Sequence, residues 1–250
     1  MKALPSYSNP RLRHWTMPEG LQNNPPFYRL ARHFLRLAMP ALWKLRVFGR
    51  HNEPASGGVA YVANHQSFLD PVVVSVGLQR PVNYMARDNL FHPPALKRLF
   101  DHLNAFPVRR GTADLTAVKE GMRRIKAGGQ VLVFAEGTRT PDGRIARMLP
   151  GVAMLAQRAA QWTVPVLIDG AYEGWPRTQL LPSPGNVVVR FGEPISSAQA
   201  QAFNPQDFVD HIRSILIDMQ TDTRRRVGRP PLHYEPEFLA APHPRRAREP

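Results

Sequence analysis

His65 and Asp70 stand five residues apart, and these two residue types can work together as a proton-transfer pair. They lie in the segment NHQSFLDP, between an apolar run and an Asp-Pro pair that predicts a helix start. The turn between them can bring the carboxylate to one imidazole nitrogen and leave the other nitrogen as a general base. The spacing alone is weak evidence, because a capping or core histidine and a plain helix N-cap also explain it.

A second polar segment, FAEGTR, ends the apolar run QVLVFAE and contains Glu136, Gly137, Thr138 and Arg139. The glycine permits a close backbone turn, and the guanidinium of the arginine offers a planar fork suited to phosphate. Polar residues that follow a buried strand are costly unless they meet solvent or have a function. The alternative interpretation is a surface turn with an ion pair.

Two further segments could complete a site. In FPVRRG, Arg109 and Arg110 stand just before a predicted helix start, where paired guanidinium groups attract anions; a solvated basic loop is the alternative. In Val164-Pro165-Val166, the proline suggests an edge or bulge position in a strand, with simple core packing as the alternative.

Predicted strands and helices alternate from about residue 57 onward, which is typical of a layered α/β domain. The strands are expected in GGVAYVANH, 82–86, 105–110, 130–136, TVPVLIDGAY and NVVVRFGEPI. The helices are expected from Asp70 as N-cap, at 93–103, from Thr112 or Asp114 to Gly128-Gly129, at 150–161 and at 197–220. The predicted fold class is α/β, a central mixed sheet flanked by helices.

Composition divides the chain into four parts: a flexible arm (1–26), an amphipathic helix (27–50), the α/β domain (51–221) and an Arg/Pro-rich tail (222–250). The tail contains seven Arg and six Pro, which predicts disorder. In the helix an apolar stripe stands beside a basic one, as on helices that lie on membranes. The alternative is a helix packed on the core with its basic face in solvent. The apolar stripe comprises Leu30, Phe34, Leu37, Ala41, Leu45 and Phe48, and the basic stripe Arg29, Arg32, His33 and Arg36.

The overall charge is strongly positive, with 33 Lys and Arg against 19 Asp and Glu and a formal net charge of +14. This charge favours polyanionic partners, which are nucleic acid, anionic lipid or phosphorylated substrates. The chain has no cysteine, which excludes disulfides, thiolate nucleophiles and cysteine metal sites. We find no apolar stretch long enough for a conventional transmembrane helix and no secretory signal peptide in residues 1–22.

Taken together and in this order, the four segments resemble the four sequence blocks of the glycerolipid acyltransferase family, whose best-known members are the 1-acylglycerol-3-phosphate acyltransferases. The first block matches as NHQSFLD, a His-x4-Asp motif. The third matches as FAEGTR, where the family more often has proline at the position of Ala135. The blocks around 106–110 and 164–166 match more loosely, and the resemblance covers roughly residues 30 to 195.

The resemblance implies that residues 51–221 form an acyltransferase domain that acylates the free hydroxyl of a lysophospholipid, by default 1-acylglycerol-3-phosphate. His65 would be the general base and Asp70 its orienting partner. Acyl-CoA or acyl carrier protein would be the co-substrate, with no metal and no other cofactor. The glycerol-phosphate end would be bound by the remaining motif residues: Glu136, Gly137, Thr138, Arg139, Arg109 and Arg110.

A lipid acceptor strengthens the interfacial interpretation of the helix at 27–50. We therefore expect a peripheral, monotopic protein on the cytoplasmic face of an anionic membrane, without a nucleic-acid partner. Other interpretations stay open: acylation of another lysolipid, such as a lyso amino-acid lipid, or a non-catalytic basic module that binds lipid or nucleic acid. An α/β hydrolase of lipids would need a G-x-S-x-G elbow, which we do not find.

Overall fold

The computed structural model describes residues 26–109 and 114–234. The helices are α1 (Pro26–Trp43), α2 (Asp70–Gly77), α3 (Pro94–His102), α4 (Leu115–Lys126), α5 (Gly151–Arg158), α6 (Ala171–Gly174), α7 (Ser197–Gln201) and α8 (Pro205–Arg226). The strands are β1 (Arg46–Phe48), β2 (Val59–Ala63), β3 (Asn83–Arg87), β4 (Ala105–Val108), β5 (Gln130–Phe134), β6 (Trp162–Asp169), β7 (Val188–Phe191) and β8 (Ile195–Ser196).

The strands form one sheet in the order β1-β7-β6-β2-β5-β3-β4, and the short β8 pairs with β6. The pairs of β6 with β7 and with β8 are antiparallel, whereas β2 runs parallel to both of its neighbours, β5 and β6. A mixed sheet flanked by helices confirms the predicted fold class. Because both faces of the sheet are covered, its central strands are continuous apolar runs rather than alternating ones.

The two faces of the sheet carry separate halves of the core. Alternate residues of β2 contribute to each half, so Ala60 and Val62 pack on one side and Tyr61 on the other. The first half is completed by α4, α5, α7 and α8, and the second by α1 and α2. The helices α1 and α2 and the turn that carries His65 all pack on this second half of the core, so they lie on the same face of the sheet.

The first helix ends earlier than the sequence predicts. We expected an amphipathic helix over 27–50, but α1 stops at Trp43 and residues 46–48 form the edge strand β1. Lys44 adopts a positive φ of 42°, which breaks the helix between the two elements. Among the described residues, no helix is long and apolar enough to cross a membrane.

The closing helix and the tail also differ from expectation. The segment predicted as one helix at 197–220 is two helices, α7 and α8, and α8 continues beyond residue 221 to Arg226. Arg224 and Arg229 both bind the buried carboxylate of Asp169, at 2.9 and 2.6 Å, so the predicted disorder is wrong for residues 222–234. The rest of the tail, the N-terminal arm up to residue 25 and Arg110 lie outside the described residues.

Pro165 lies in the interior of the sheet and not at its edge, so the edge interpretation is wrong. On one side it pairs with Val62 of β2. On the other side it falls between the ladders to β7 and β8, where its carbonyl accepts from Gly192 N at 2.8 Å. A proline is tolerated there because no ladder hydrogen bond requires its missing N–H.

Candidate active site

The parallel register of β2 and β5 brings the two strongest motifs side by side. Ala63, the last residue of β2, pairs with Phe134, the last residue of β5. His65 and Glu136 each follow two residues later, so both emerge at the carboxyl edge of the sheet, the usual position of sites in α/β folds. Residues that are 71 positions apart in sequence are therefore neighbours in space.

The His65 side chain contacts Asp70 directly. Its Nδ1 lies 2.7 Å from Asp70 Oδ2, and both residues are buried, with His65 only 5% exposed. Because a carboxylate accepts hydrogen bonds, we assign the imidazole proton to Nδ1, which donates to Asp70. This tautomer leaves Nε2 as the basic nitrogen. The imidazole also stacks on the ring of Phe134, with centroids 4.1 Å apart and planes 18° apart.

Asp70 holds the turn and does not cap its helix. Its Oδ2 accepts from the backbone N–H groups of Gln66 and Ser67 at 2.6 and 2.8 Å. The predicted N-cap role is therefore wrong: α2 begins at Asp70 itself, and the capping position, Leu69, makes no side-chain capping bond. These bonds stabilise the negative carboxylate and fix its distance to His65.

Two amides join the turn to the surrounding strands and loops. Asn64 exchanges two hydrogen bonds with the backbone of Ile168 in β6, at 2.9 and 2.8 Å. Gln66 donates to Gly143 O at 3.0 Å and accepts from Ala171 N at 3.1 Å. Sequence reasoning did not assign either amide a role, although both stand inside the His65 motif. They position the turn on the sheet.

Glu136 is buried behind His65 and is absent from the residues that line the cavity beside it. Its two oxygens accept from the backbone N–H groups of His65, at 2.7 Å, and Ala146, at 2.9 Å. Burial raises the pKa of Glu136 to about 8, because water cannot stabilise the charge, although these two N–H donors act in the opposite direction. The structure therefore places Glu136 as a support for the His65 backbone.

The turn at 137–139 requires a glycine and delivers an arginine to the cavity. Gly137 has a φ of +68°, and a Cβ there would meet Leu149 Cδ1 at 2.8 Å. Thr138 is half-buried between it and Arg139. The guanidinium carbon of Arg139 lies 3.5 Å from the ring centroid of Phe68, an aromatic stack that leaves the N–H edges of the group for a ligand.

Sequence reasoning missed several residues around Arg139. Phe68 packs on Trp175, with ring centroids 5.3 Å apart, and Ser67 Oγ donates to Trp175 O at 2.8 Å. Partial burial lowers the pKa of Arg139, and the positive charges of Arg177 and Arg87 lower it further. Arg177 and Arg87 therefore place two further positive charges near Arg139, and they come from segments with no motif that could have identified them.

The predicted residue Arg109 lies elsewhere. Its side chain is 81% exposed at the end of β4, the far edge of the sheet, with Asp88 4.0 Å away. It is not among the residues lining the cavity beside His65. Arg110, the other arginine of that segment, falls in the undescribed range 110–113.

A cavity of about 420 Å³ opens beside His65 and Arg139. Its walls are mainly apolar and come from α1, α2, the β3–α3 segment and β5; they include Leu35, Val72, Met85, Leu90, Phe100, Leu103 and Phe134. An elongated apolar group can fit there with a polar end near the imidazole. In the two described ranges, no three His, Cys, Asp or Glu side chains are grouped to hold a metal ion.

Comparison with known proteins gives a family match and several relatives. A family model described as Acyltransferase matches residues 44–169. The chain is 27% identical over 184 residues to 1-acyl-sn-glycerol-3-phosphate acyltransferase LPAT1, chloroplastic, of Arabidopsis thaliana, covering 70% of this chain and 51% of that protein. A 1-acyl-sn-glycerol-3-phosphate acyltransferase of Bacillus subtilis is 26% identical over 172 residues, covering 68% and 83%.

A solved structure also resembles the chain. The crystal structure of the 1-acyl-sn-glycerophosphate (LPA) acyltransferase PlsC from Thermotoga maritima aligns with a TM-score of 0.59 at 23% identity, covering 77% of this chain and 81% of that one. At this identity the likeness concerns the fold. The chain spans about half the length of the Arabidopsis relative and most of the Bacillus one.

Proposed function

The chain belongs to the acyltransferase family, whose model covers residues 44–169, which are 126 of its 250 residues. We propose that it transfers a fatty acyl group from a thioester donor to the free hydroxyl of a lysophospholipid. The observation that carries this proposal is the buried His65–Asp70 contact of 2.7 Å beside an apolar cavity that also contains Arg139. The proposed acceptor is 1-acylglycerol-3-phosphate, the substrate in the names of the relatives.

In the proposed mechanism, Nε2 of His65 removes the proton from the acceptor hydroxyl as the oxygen attacks the thioester carbonyl carbon. The tetrahedral intermediate collapses by breaking the carbon–sulfur bond, and the imidazolium returns its proton to the leaving thiolate. Asp70 stabilises the imidazolium and keeps the proton on Nδ1. General-base help of this kind is worth about 10²–10⁴-fold in rate. The acyl group passes directly to the acceptor without a covalent enzyme intermediate.

Arg139 is the proposed ligand of the acceptor phosphate. Its stacked guanidinium lies on the same cavity as the imidazole, and Arg87 lines that cavity too. A phosphate bound there would place the adjacent glycerol carbons near His65. In this proposal Glu136 and Gly137 act indirectly, by shaping the turn that carries Arg139 and supporting the backbone of His65.

The apolar cavity is the proposed site of the acyl chain, because its walls are apolar and one end meets His65. Burial of hydrocarbon in such a cavity is favourable by roughly 0.8 kcal/mol for each CH₂ group. Acyl-CoA and acyl carrier protein present the same thioester, so either can serve as the donor in this mechanism.

The outer face of α1 supports docking on a membrane. Leu30, Phe34 and Leu37 are 71%, 67% and 77% exposed. Two basic residues of the helix point instead toward the protein: Arg36 Nη2 donates to Leu78 O at 2.7 Å, and Arg32 donates to the same carbonyl. The predicted basic stripe is therefore divided: Arg32 and Arg36 face the protein, whereas Arg29 and His33 are exposed. We propose that the exposed apolar stripe lies in the cytoplasmic leaflet of an anionic membrane.

The direct test uses purified protein with isotope-labelled acyl-CoA, or acyl carrier protein, and a panel of lysolipids that includes lyso amino-acid lipids. Mass spectrometry of the products should show labelled phosphatidic acid from 1-acylglycerol-3-phosphate. His65→Ala should fold normally and form no product above background. Product from another lysolipid alone would reassign the acceptor, and full activity of His65→Ala would refute the mechanism.

A further inference from the structure

Two leucines on the loop between α6 and β7 are almost entirely in solvent. Leu180 is 89% and Leu181 75% exposed, at the tip of a segment, residues 175–187, that we call the 175–187 loop. Adjacent leucines in water are unfavourable for an isolated protein, and exposed apolar patches mark surfaces that contact a partner or a membrane. Neither leucine belongs to the site described above.

The 175–187 loop is held at both ends by functional elements. At its start, Trp175 packs on Phe68 and its carbonyl accepts from Ser67 Oγ, so this end lies at the catalytic site. Near its other end, Ser183 O accepts from the indole Nε1 of Trp43, the last residue of α1, at 2.9 Å. Ser183 N also donates to Gly174 O at 2.7 Å, which closes the base of the loop beside Trp43 and leaves Leu180 and Leu181 in the projecting part.

The exposed charges within the loop and beside its far end are positive, and the acidic residue just before the loop, Glu173, lies 3.5 Å from Arg224. The segment WPRTQLLPSPGNV contains no acidic residue, and its Arg177 is exposed. Just after Trp43, the exposed Lys44 and Arg46 line a cleft together with Asn186 at the far end of the loop. Exposed apolar side chains on a loop with cations near both of its ends match the chemistry of an anionic bilayer, which offers acyl chains below negative headgroups.

We propose that Leu180 and Leu181 form a second membrane anchor that enters the same bilayer as the outer face of α1. This inference rests on the proposed function, which supplies the lipid acceptor and the docking of α1. Three prolines at 176, 182 and 184 restrict the backbone, so little conformational entropy is lost when the loop docks. With the loop in the bilayer, the Phe68 and Trp175 end of the site would lie at the membrane surface.

Because the chain has no cysteine, a single introduced cysteine can be labelled uniquely with an environment-sensitive fluorophore. The three positions are Leu181→Cys at the tip, Phe34→Cys on α1, and Lys119→Cys as a control on α4, across the sheet. On vesicles of phosphatidylcholine with phosphatidylglycerol, the labels at 181 and 34 should brighten and shift to the blue, and the label at 119 should not change.

A response at 34 without one at 181 would overturn the proposal, since α1 alone would then be the anchor. A response at 181 that follows protein concentration in lipid-free buffer would also overturn it, because the tip would be covered by a second copy of the chain. Vesicles of phosphatidylcholine alone should give a weaker response at 181, as expected if the surrounding cations contribute.

A second experiment changes the tip itself. The double variant Leu180→Glu/Leu181→Glu should raise the dissociation constant for anionic vesicles roughly tenfold or more, because burial of each leucine is lost. The matched control is Leu115→Glu, which changes an exposed leucine on the opposite face and should bind as the wild type does. Equal vesicle binding by the double variant and the control would overturn the proposal.

Activity measurements separate this proposal from the proposed function. With a short-chain acceptor that stays monomeric in water, the double variant should match the wild type, whereas with acceptor in vesicles it should lose activity at limiting protein. Loss of activity to the same extent on both acceptors would overturn the membrane role of the loop. If the wild type acylates no lysolipid, the proposed function fails, but vesicle binding and fluorescence still decide whether the tip enters a bilayer.

Discussion

The two ends of the site are constructed differently. In the turn at residues 64–70, which we propose is catalytic, polar side chains and backbone groups are hydrogen-bonded to one another or to adjacent strands, and the residues are nearly all buried. Around Arg139, the stack on Phe68 and the nearby cations Arg87 and Arg177 dominate, and these four residues come from four separate segments. In the proposed mechanism, proton transfer at His65 requires fixed distances, whereas binding of a mobile phosphate group by Arg139 tolerates adjustment, and this difference would account for the greater rigidity of the turn.

Asp70→Asn tests the rigid end and should have the largest effect. The amide can keep the bonds from Gln66 N and Ser67 N while no longer stabilising an imidazolium, so kcat should fall by about 10²–10⁴-fold. The KM for the acceptor should change little, and the thermal unfolding midpoint should remain near that of the wild type. Steady-state kinetics and thermal unfolding of the purified protein check these expectations; a rise in the acceptor KM with kcat unchanged would move Asp70 from catalysis to binding.

Arg139→Ala tests the adaptable end. Loss of charge-assisted hydrogen bonds worth about 1.5–3 kcal/mol should raise the acceptor KM by roughly 10–150-fold while kcat changes less. Arg139→Lys is the comparison variant, because it keeps the charge and loses the planar stack on Phe68. Its acceptor KM should be higher than that of the wild type and lower than that of Arg139→Ala. An acceptor KM unaffected by Arg139→Ala would remove the arginine from phosphate binding.

Glu136→Gln examines how the rigid end is supported. The amide cannot accept N–H bonds through both of its ends, so stability should fall by about 1–3 kcal/mol. The pKa of Glu136 is raised in the folded state from 4.5 to about 8, so the folded state binds this proton more tightly than the unfolded chain. The stabilisation that comes from this tighter proton binding is complete below pH 4.5 and is lost as the pH rises through 8.

Denaturant unfolding of both proteins between pH 5 and 9 measures this difference. The wild type should lose stability across the range relative to Glu136→Gln, whose curve should be flatter because the titrating group is gone. Parallel curves would mean that Glu136 titrates alike in both states, and the support it gives His65 would then be independent of pH.

Phe68→Leu should have the smallest effect. An exposed cation–π contact is worth about 0.5–1 kcal/mol, so the acceptor KM should rise by roughly two- to fivefold. Phe68→Tyr retains the ring and should restore the wild-type value, whereas a purely structural role would also change kcat and stability. If Phe68→Leu lowers kcat as strongly as Asp70→Asn does, the distinction between the two ends of the site is lost.

Several assignments followed from local patterns because the physical cause is local. Asp114 accepts from the backbone N–H groups of Thr116 and Ala117 at the start of α4, as a capping residue should. The His65–Asp70 contact lies within one turn. The positive φ of Gly137 is a local backbone requirement that favours glycine over other residues, independent of the side chains around it. Patterns failed where neighbours distant in sequence intervene: Arg224 and Arg229 pack because Asp169 is buried beside them, and composition cannot detect this partner.

By itself, the sequence determined the alternation of strands and helices, the pair His65 and Asp70, and the position of the turn at 136–139, since each depends on periodicity or on residues only a few positions apart. The tertiary structure alone decided the orientations. Sheet register placed Glu136 behind His65, helix packing turned Arg32 and Arg36 inward and left Leu37 in solvent, and loop anchoring put Trp175 against Phe68. Orientation depends on which surface covers a side chain, and that surface comes from segments far away in the chain.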